Sequence, residues 1–356
     1  MLPDMKHKIR NYGLKTAVAG VALAASLSSF VGCSKEVPRP NFVFIMTDDH
    51  ALQAISAFGS TMINTPNIDR IANEGVKFEN SFVTNSICAP SRAVMLTGKY
   101  SHLNGMRGND DRFDSSQPTY PSIMQQAGYQ TALVGKWHLE SEPVGFDTYQ
   151  ILSDSAEQGV YYNPNFKEDG QIVRRMGYVS NIITEKAINF MDEARKSDDP
   201  FLMLVHHKAP HRNWMPGPKH LGMFEDVDFP VPDTFFDDYS TRKFGDLSDT
   251  KDKDMYLSQD MKLHKEYYGT ESGTGGLAGF STLVGASWET DYNNMTDEQK
   301  AAWDAVYQPV NEEFKRLNLS GDELALWIYQ RYMRDYMATV MSVASEKSWI
   351  TLMSMT

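Results

Sequence analysis

Three short apolar runs and two long amphipathic stretches organise the chain. Asn41-Phe42-Val43-Phe44-Ile45-Met46-Thr47 is continuously apolar, too short for a helix of its own, and suits a buried parallel strand. Phe201–Val205 reads the same way, and Tyr129–Val134, polar at Gln130 and Thr131, reads as a further strand. Val179–Lys196 carries Ile182, Ile183, Ala187, Ile188, Met191 and Ala194 at helical spacing, one buried face. Glu323–Met341 does likewise through Tyr329, Tyr332, Met333, Tyr336, Met337, Val340 and Met341. Between Thr65 and Gly75, and from Tyr120-Pro121 to Gly128, capping, proline-opening and glycine-closing signals predict two shorter helices. Val76–Val83 reads as extended and Tyr100–Asp114 as loop. Strands alternating with helices give an α/β protein with a sheet flanked by helices.

Each predicted strand runs into a polar cluster: Asp48-Asp49-His50, then Gly135-Lys136-Trp137-His138, then His206-His207-Lys208 with His211-Arg212. In open α/β sheets ligands bind beyond the carboxyl ends of strands. Residues 213–320 lack sheet periodicity and are rich in aromatics, Asp and Gly, including Gly269–Gly279; they read as an insertion over such a site, where specificity resides. Thr296-Asp297-Glu298-Gln299 is a capping-box start for a helix within it.

The chain has 356 residues, enough for one large domain or two ordinary ones, and a net charge of −12, which excludes nucleic acid as the natural partner. Lys6, Lys8, Arg10 and Lys15 precede an apolar run over Thr16–Gly32 that is short for a membrane span and reads as a signal peptide. It ends in Phe30-Val31-Gly32-Cys33-Ser34, which resembles a bacterial lipobox with Cys33 as the lipidated residue. A plain secreted form or a simple membrane anchor suits the same run. The expectation is a signal segment over 1–33 and a tether over 34–40, giving an exported protein, periplasmic or held at the outer membrane by its lipid alone. The chain has two cysteines. With Cys33 lipidated and Cys88 in a motif, no thiol pair remains for a disulfide.

Two stretches carry chemistry. Asp48 and Asp49 are adjacent carboxylates that repel unless a cation neutralises them, and hard oxygen donors favour Ca²⁺ or Mg²⁺. In Asn85-Ser86-Ile87-Cys88-Ala89-Pro90-Ser91-Arg92, proline is favoured at the first helical position, so a helix is expected from Pro90 with Cys88 just before its N-terminus. Free N–H groups and the helix dipole favour an anion there, and Arg92 sits one turn in.

The pattern C-x-P-S-R-x-x-x-L-T-G at Cys88–Gly98 resembles the sulfatase motif, in which the cysteine is oxidised to formylglycine. N-T-P-N-I-D-R-I-A at 64–72, G-K-W-H at 135–138 and P-H at 210–211 resemble further elements of that family, and the likeness runs over about residues 38–342. It implies an alkaline-phosphatase-like fold with a central mixed, mainly parallel sheet. It implies that Asp48 and Asp49, with the converted Cys88, bind a divalent metal, usually Ca²⁺. It implies that Cys88, as the formylglycine hydrate, attacks sulfur, splitting a hard displacement into two steps. Arg92 and Lys136 would stabilise the sulfuryl oxygens, and His138 or His211 would act as acid or base. Lys208 and Arg212 are candidates to meet an anionic substrate, and a maturation enzyme is an implied partner.

The stretch H-H-K-A-P-H-R-N-W at 206–214 resembles sulfatases acting on 6-sulfated N-acetylglucosamine in mucin or glycosaminoglycans. Two other readings stay open: a phosphoester or phosphonate hydrolase of the same superfamily, and a fragment that binds glycan without turning it over. The last reading arises because the family continues with a later Asp-His or Asp-Asn pair for the metal and a further lysine, whereas residues 345–356 resemble nothing in it. Back-translated from the last base of the Ser348 codon in a shifted frame, with permitted synonymous codons, the tail gives Leu-Asp-Tyr-Leu-Asp-Glu-His-Asp, which resembles the family's next turns. The expectation is a sulfatase domain over 41–344 followed by an out-of-frame tail.

Overall fold

The computed structural model describes residues 39–238, 240–241, 257–268 and 288–345. The signal segment with Cys33, most of the tether, Gly269–Gly279 and the tail beyond Ser345 lie outside the described residues.

From Asn41 onward the described strands form one six-stranded sheet in the order β1-β6-β2-β3-β4-β5. The strands are β1 (Phe42–Met46), β2 (Gln130–Gly135), β3 (Thr148–Leu152), β4 (Asn165–Glu168), β5 (Gln171–Arg174) and β6 (Phe201–His206). β1, β6, β2 and β3 run parallel; β4 and β5 are antiparallel additions. The main helices are α1 (Pro66–Glu74), α2 (Cys88–Thr97), α3 (Tyr120–Gln126), α4 (Val179–Ala194), α5 (Trp288–Asn294), α6 (Asp297–Leu317) and α7 (Gly321–Ala344).

The period-two alternation of strands sorts side chains to two faces. Ala132, Val134, Phe201, Met203 and Val205 face α4 and the aromatic wall Trp288, Trp303 and Tyr307, in one core. Leu133, Leu202, Leu204 and Ile151 face the other way onto Ala89, Ala93 and Leu96 of α2, with Trp137 and Leu139. Both faces being covered is why the β2 and β6 runs are apolar without alternation. α7 closes a third cluster with Met333, Tyr336, Met337 and Val340 against Ile63, Trp214 and Phe229.

β1 departs from expectation. It is parallel, but it pairs only with β6 among the described residues, and Phe42 and Phe44 are 43% and 36% exposed. An apolar run reports hydrophobicity, not the number of neighbouring strands. Along that edge Phe42 and Phe44 line an apolar groove of ≈ 500 Å³ with Met95, Tyr120, Ile123 and Met124. Residues 76–83 form no strand, and Phe78 and Phe82 stand exposed. The expected loop over 100–114 contains a single helical turn, Ser101–Asn104. No strand occurs in the described part of 213–320, and the capping box at Thr296 and Gln299 forms as read.

The register places Met46, His206 and Gly135 in one row across the sheet, so the three polar clusters leave it side by side. Gly135 makes this close approach possible. It has φ +105°, and an added Cβ would lie 1.9 Å from the His206 carbonyl oxygen. Gly135→Ala is therefore expected to cost about 3 kcal/mol or more, from left-handed strain plus a backbone clash. Urea unfolding measures it. A loss under about 1 kcal/mol would mean that the β2 and β6 ends sit farther apart.

Candidate active site

Backbone bonds lace the strand ends together before any side chain acts. Lys136 N donates to His206 O at 2.8 Å, His207 N to Met46 O at 2.8 Å, and Asp48 N to Ala209 O at 3.2 Å. Cys88 arrives from the side. It is the first residue of α2, not a residue before it, because Ile87 is extended and Ser91 N already donates to Ile87 O at 2.9 Å. Pro90 thus falls in the first turn, where its missing N–H costs nothing.

The buried Asp48 carboxylate is the hub. Lys136 Nζ donates to its Oδ2 at 2.5 Å and Arg92 Nη2 lies 3.7 Å from its Oδ1. Burial opposes its charge, but Lys136 and Arg92 win, and Asp48 is held well below the usual carboxylate range. Asp49 is pushed up, by burial and by the Asp48 charge beside it. Arg92 is buried; Nη1 donates to Lys136 O at 2.8 Å, while Nε and Nη2 lack a hydrogen-bond partner among the described residues. Lys136 also reaches Gln158 Oε1 at 3.3 Å.

The Cys88 thiol is raised above its ordinary value by burial, against the pull of Lys136, and is neutral at pH 7. His211 Nδ1 lies 2.6 Å from Arg212 O, so the proton sits on Nδ1 and the bare Nε2 points inward, 3.6 Å from Asp49 Oδ2. His138 is buried in a left-handed conformation with φ 55°, and burial together with Lys136 and Arg92 lowers it to about 3. Lys208 is buried with its ammonium 5.1 Å from the Tyr161 ring centroid, and burial plus Lys136 lower it to about 8. Arg212 is otherwise engaged. Its guanidinium makes a bidentate pair through Nε and Nη2 with the buried Asp260, both bonds 2.6 Å, so that edge is taken.

One donor atom each from Asp48, Cys88 and His211 lies within 4.8 Å of the others. A sulfatase family model matches residues 40–342. The chain belongs to the sulfatase family. It is 46% identical over 327 residues to an N-acetylglucosamine-6-O-sulfatase of Bacteroides thetaiotaomicron, covering 90% of this chain and 56% of that protein. It is 32% identical over 218 residues to an ulvan-active sulfatase of Formosa agariphila, covering 55% and 42%. A solved structure in complex with its substrate D-glucosamine-2-N,6-O-disulfate superposes with a TM-score of 0.77 at 44% identity, covering 89% of this chain and 62% of that one. The chain thus spans between half and two thirds of the length of that Bacteroides relative and of that solved chain.

Sulfatases generally use a metal and formylglycine. The residues present fit a hard cation in part. Asp48 and Asp49 are the carboxylates that such an ion takes, but a neutral thiol is a poor ligand for it, so the set suits the ion only once Cys88 carries oxygen in place of sulfur. Among the described residues, Asp48, Asp49 and a converted Cys88 would offer oxygen to part of the six to eight positions that Ca²⁺ commonly takes.

Several supporting residues of this sulfatase escaped the sequence. The Tyr336 hydroxyl accepts from Ala51 N at 2.7 Å and donates to Asp49 O at 3.0 Å, fixing the carboxylate loop from α7. The Tyr161 hydroxyl donates to His211 O at 2.5 Å. The buried Asp291 of α5 accepts from the amides of Tyr161 and Tyr162. No local pattern marks them, because each acts across more than a hundred positions or on backbone alone, Tyr161 excepted at 50.

Burial makes the site acid-sensitive. His138, His206, His207 and His211 are lowered to about 3, 3, 4 and 3, first of all by burial. Their unfolded values are about 6.5, so the stability they lend is complete above that pH and drains away toward the folded values, as the unfolded chain takes up protons first. Asp291, raised by burial to about 6, works the other way: its stability is complete below about 4 and lost as pH rises through 6. Four histidines, with Asp48 held low, outweigh the raised carboxyls of Asp291, Asp49 and Glu157 and fix the sign. The melting temperature should fall steadily from pH 7 to pH 4. A flat profile over that range, followed by scanning calorimetry, would show that these imidazoles are not held neutral.

Proposed function

We propose that this chain carries the nucleophile half of a sulfate-ester hydrolase site acting on sulfated glycans. One observation bears the weight: Cys88, Asp48 and His211 meet within 4.8 Å while Lys136 and Arg92 both bear on Asp48. A bound divalent cation, Ca²⁺ by preference, would supply charge against the sulfuryl oxygens, and the formylglycine hydrate would supply one hydroxyl to attack sulfur and a second to expel sulfate.

The chain's own groups divide the remaining work. Arg92 offers Nε and Nη2, buried donors without a hydrogen-bond partner among the described residues, to a tetrahedral anion. Lys136 shares its ammonium between Asp48 and that anion. His211 Nε2 is the atom that takes up a proton at the attack and returns it to the departing alkoxide; Nδ1, tied to Arg212 O, holds the ring still. His138 lines the same space as a neutral donor or acceptor. Lys208 adds a cation near the leaving sugar.

The names of the N-acetylglucosamine-6-O-sulfatase and of the disulfated glucosamine complex support a 6-O-sulfated glucosamine as the substrate. The lipobox-like Cys33 supports an exported lipoprotein matured by a formylglycine-forming enzyme. A second reading, in which the chain binds sulfated sugar without turnover, draws on the three oxygen-donating residues being the cation ligands identified among the described residues.

Matched sulfate and phosphate esters separate the chemistries. Sulfate release lowered about a thousandfold or more by Cys88→Ser, with an unchanged melting temperature, is the expected result. Phosphate release favoured over sulfate would sink the reading. Sugar binding by calorimetry with no turnover would select the second. A further expectation concerns the ion: Asp49→Asn should weaken Ca²⁺ binding about tenfold or more in calorimetry, and equal affinity in both proteins would remove Asp49 from the shell.

A further inference from the structure

His206 ends β6 with its ring buried edge-on against Phe44, ring centroids 6.0 Å apart. Its Nδ1 lies 3.1 Å from Arg92 Nη1 and 3.1 Å from Lys136 O, and Arg92 Nη1 lies 2.8 Å from that same carbonyl oxygen. A guanidinium only donates. If Nδ1 carried the ring proton, it would donate to the Lys136 carbonyl, crowd the Nη1 hydrogen aimed at the same oxygen, and leave the second Nη1 hydrogen without an acceptor. With Nδ1 bare, both hydrogens of Nη1 have an acceptor, one the Lys136 carbonyl and one the imidazole. The proton then sits on Nε2, which is buried without a hydrogen-bond partner among the described residues. That orphaned group is a cost that a core residue such as leucine would not incur.

We propose that His206 is a positioning residue for Arg92. Its Nδ1 pins Nη1 to the back of the site, which turns the opposite edge of the guanidinium, Nε and Nη2, toward Asp48 and toward an incoming sulfate. Without that acceptor, Nη1 is left with one acceptor, the Lys136 carbonyl, and the fork can rotate about it, trading an anion-facing edge for a hydrogen bond to Asp48. The selection works through direction rather than charge, since a neutral imidazole adds none. The role rests on the reading of Arg92 as an oxyanion donor.

Two measurements on the full chain test it. In protein labelled with ¹⁵N-histidine, the His206 ring should show a protonated Nε2 and a bare Nδ1. The opposite tautomer, or an imidazolium, at pH 7.5 overturns the proposal whatever the protein catalyses. In calorimetry with inorganic sulfate, His206→Leu should weaken binding about tenfold, and His206→Asn, whose Oδ1 can stand where Nδ1 stood, should recover most of it. Equal affinities in His206→Leu and wild type, or equal losses in both variants despite matching melting temperatures, overturn it too. Wild-type protein that shows the expected tautomer but binds no sulfate would leave Arg92 positioned and count against the sulfatase reading instead.

Discussion

Everything at this site depends on keeping one carboxylate ionised in a dry place. Asp48 is 6% exposed, and a lone buried charge there would be untenable. Lys136, itself fully buried, and Arg92, 2% exposed, make it tenable. The same three groups are mutually dependent, since removing one partner from a buried ion pair typically costs 3–5 kcal/mol. The residues that would do the chemistry are therefore also residues that hold the loops. Counting Lys208, three cations stand against the carboxylates of Asp48 and Asp49. A dication added to such a set would leave the pocket strongly positive, as an anionic ester would require, despite a chain whose net charge is −12.

Geometry of the sheet supplies these groups without any one segment encoding the site. Met46, His206 and Gly135 share a row, so the residues after each strand leave from adjacent points and in the same direction. Parallel pairing is what permits this; an antiparallel neighbour would send its loop to the far edge. The departure at Gly135 is close enough that only glycine fits. Chain proximity contributes little: Asp48 and Lys136 are 88 positions apart.

What could be read from residues alone follows the same logic. The β2 and β6 runs, the α4 and α7 faces and the polar clusters beyond the strands were legible because periodicity and strand-end chemistry are local. The start of α2 was misread by two residues, since Pro90 is as acceptable at the third helical position as at the first. β3, β4 and β5 were not legible: they are four or five residues long and mostly polar or half-buried. Burial of β1 was overread, because its exposure depends on which strands lie beside it. Arg212 looked available for substrate because nothing in its own neighbourhood announces Asp260, 48 positions on.

The last constraint is on the backbone of the carboxylate loop. Asp49 adopts a left-handed conformation with φ 58°, and His138 does the same at 55°. For a residue with a Cβ this costs roughly 1–2 kcal/mol, so surrounding structure must over-determine it. At Asp49 the over-determination comes from one hydroxyl: Tyr336 takes the Ala51 amide and gives to the Asp49 carbonyl, so the loop's two ends are read by a single rigid ring. That ring is fixed by α7, whose inner face packs Met333, Met337 and Val340 into the third core. The conformation that aims the second carboxylate is thus stored in a helix 287 residues away. It follows that α7 belongs to the working part of the fold as much as the strands do, and that the carboxylate pair can be aimed only in a chain that reaches at least to Tyr336.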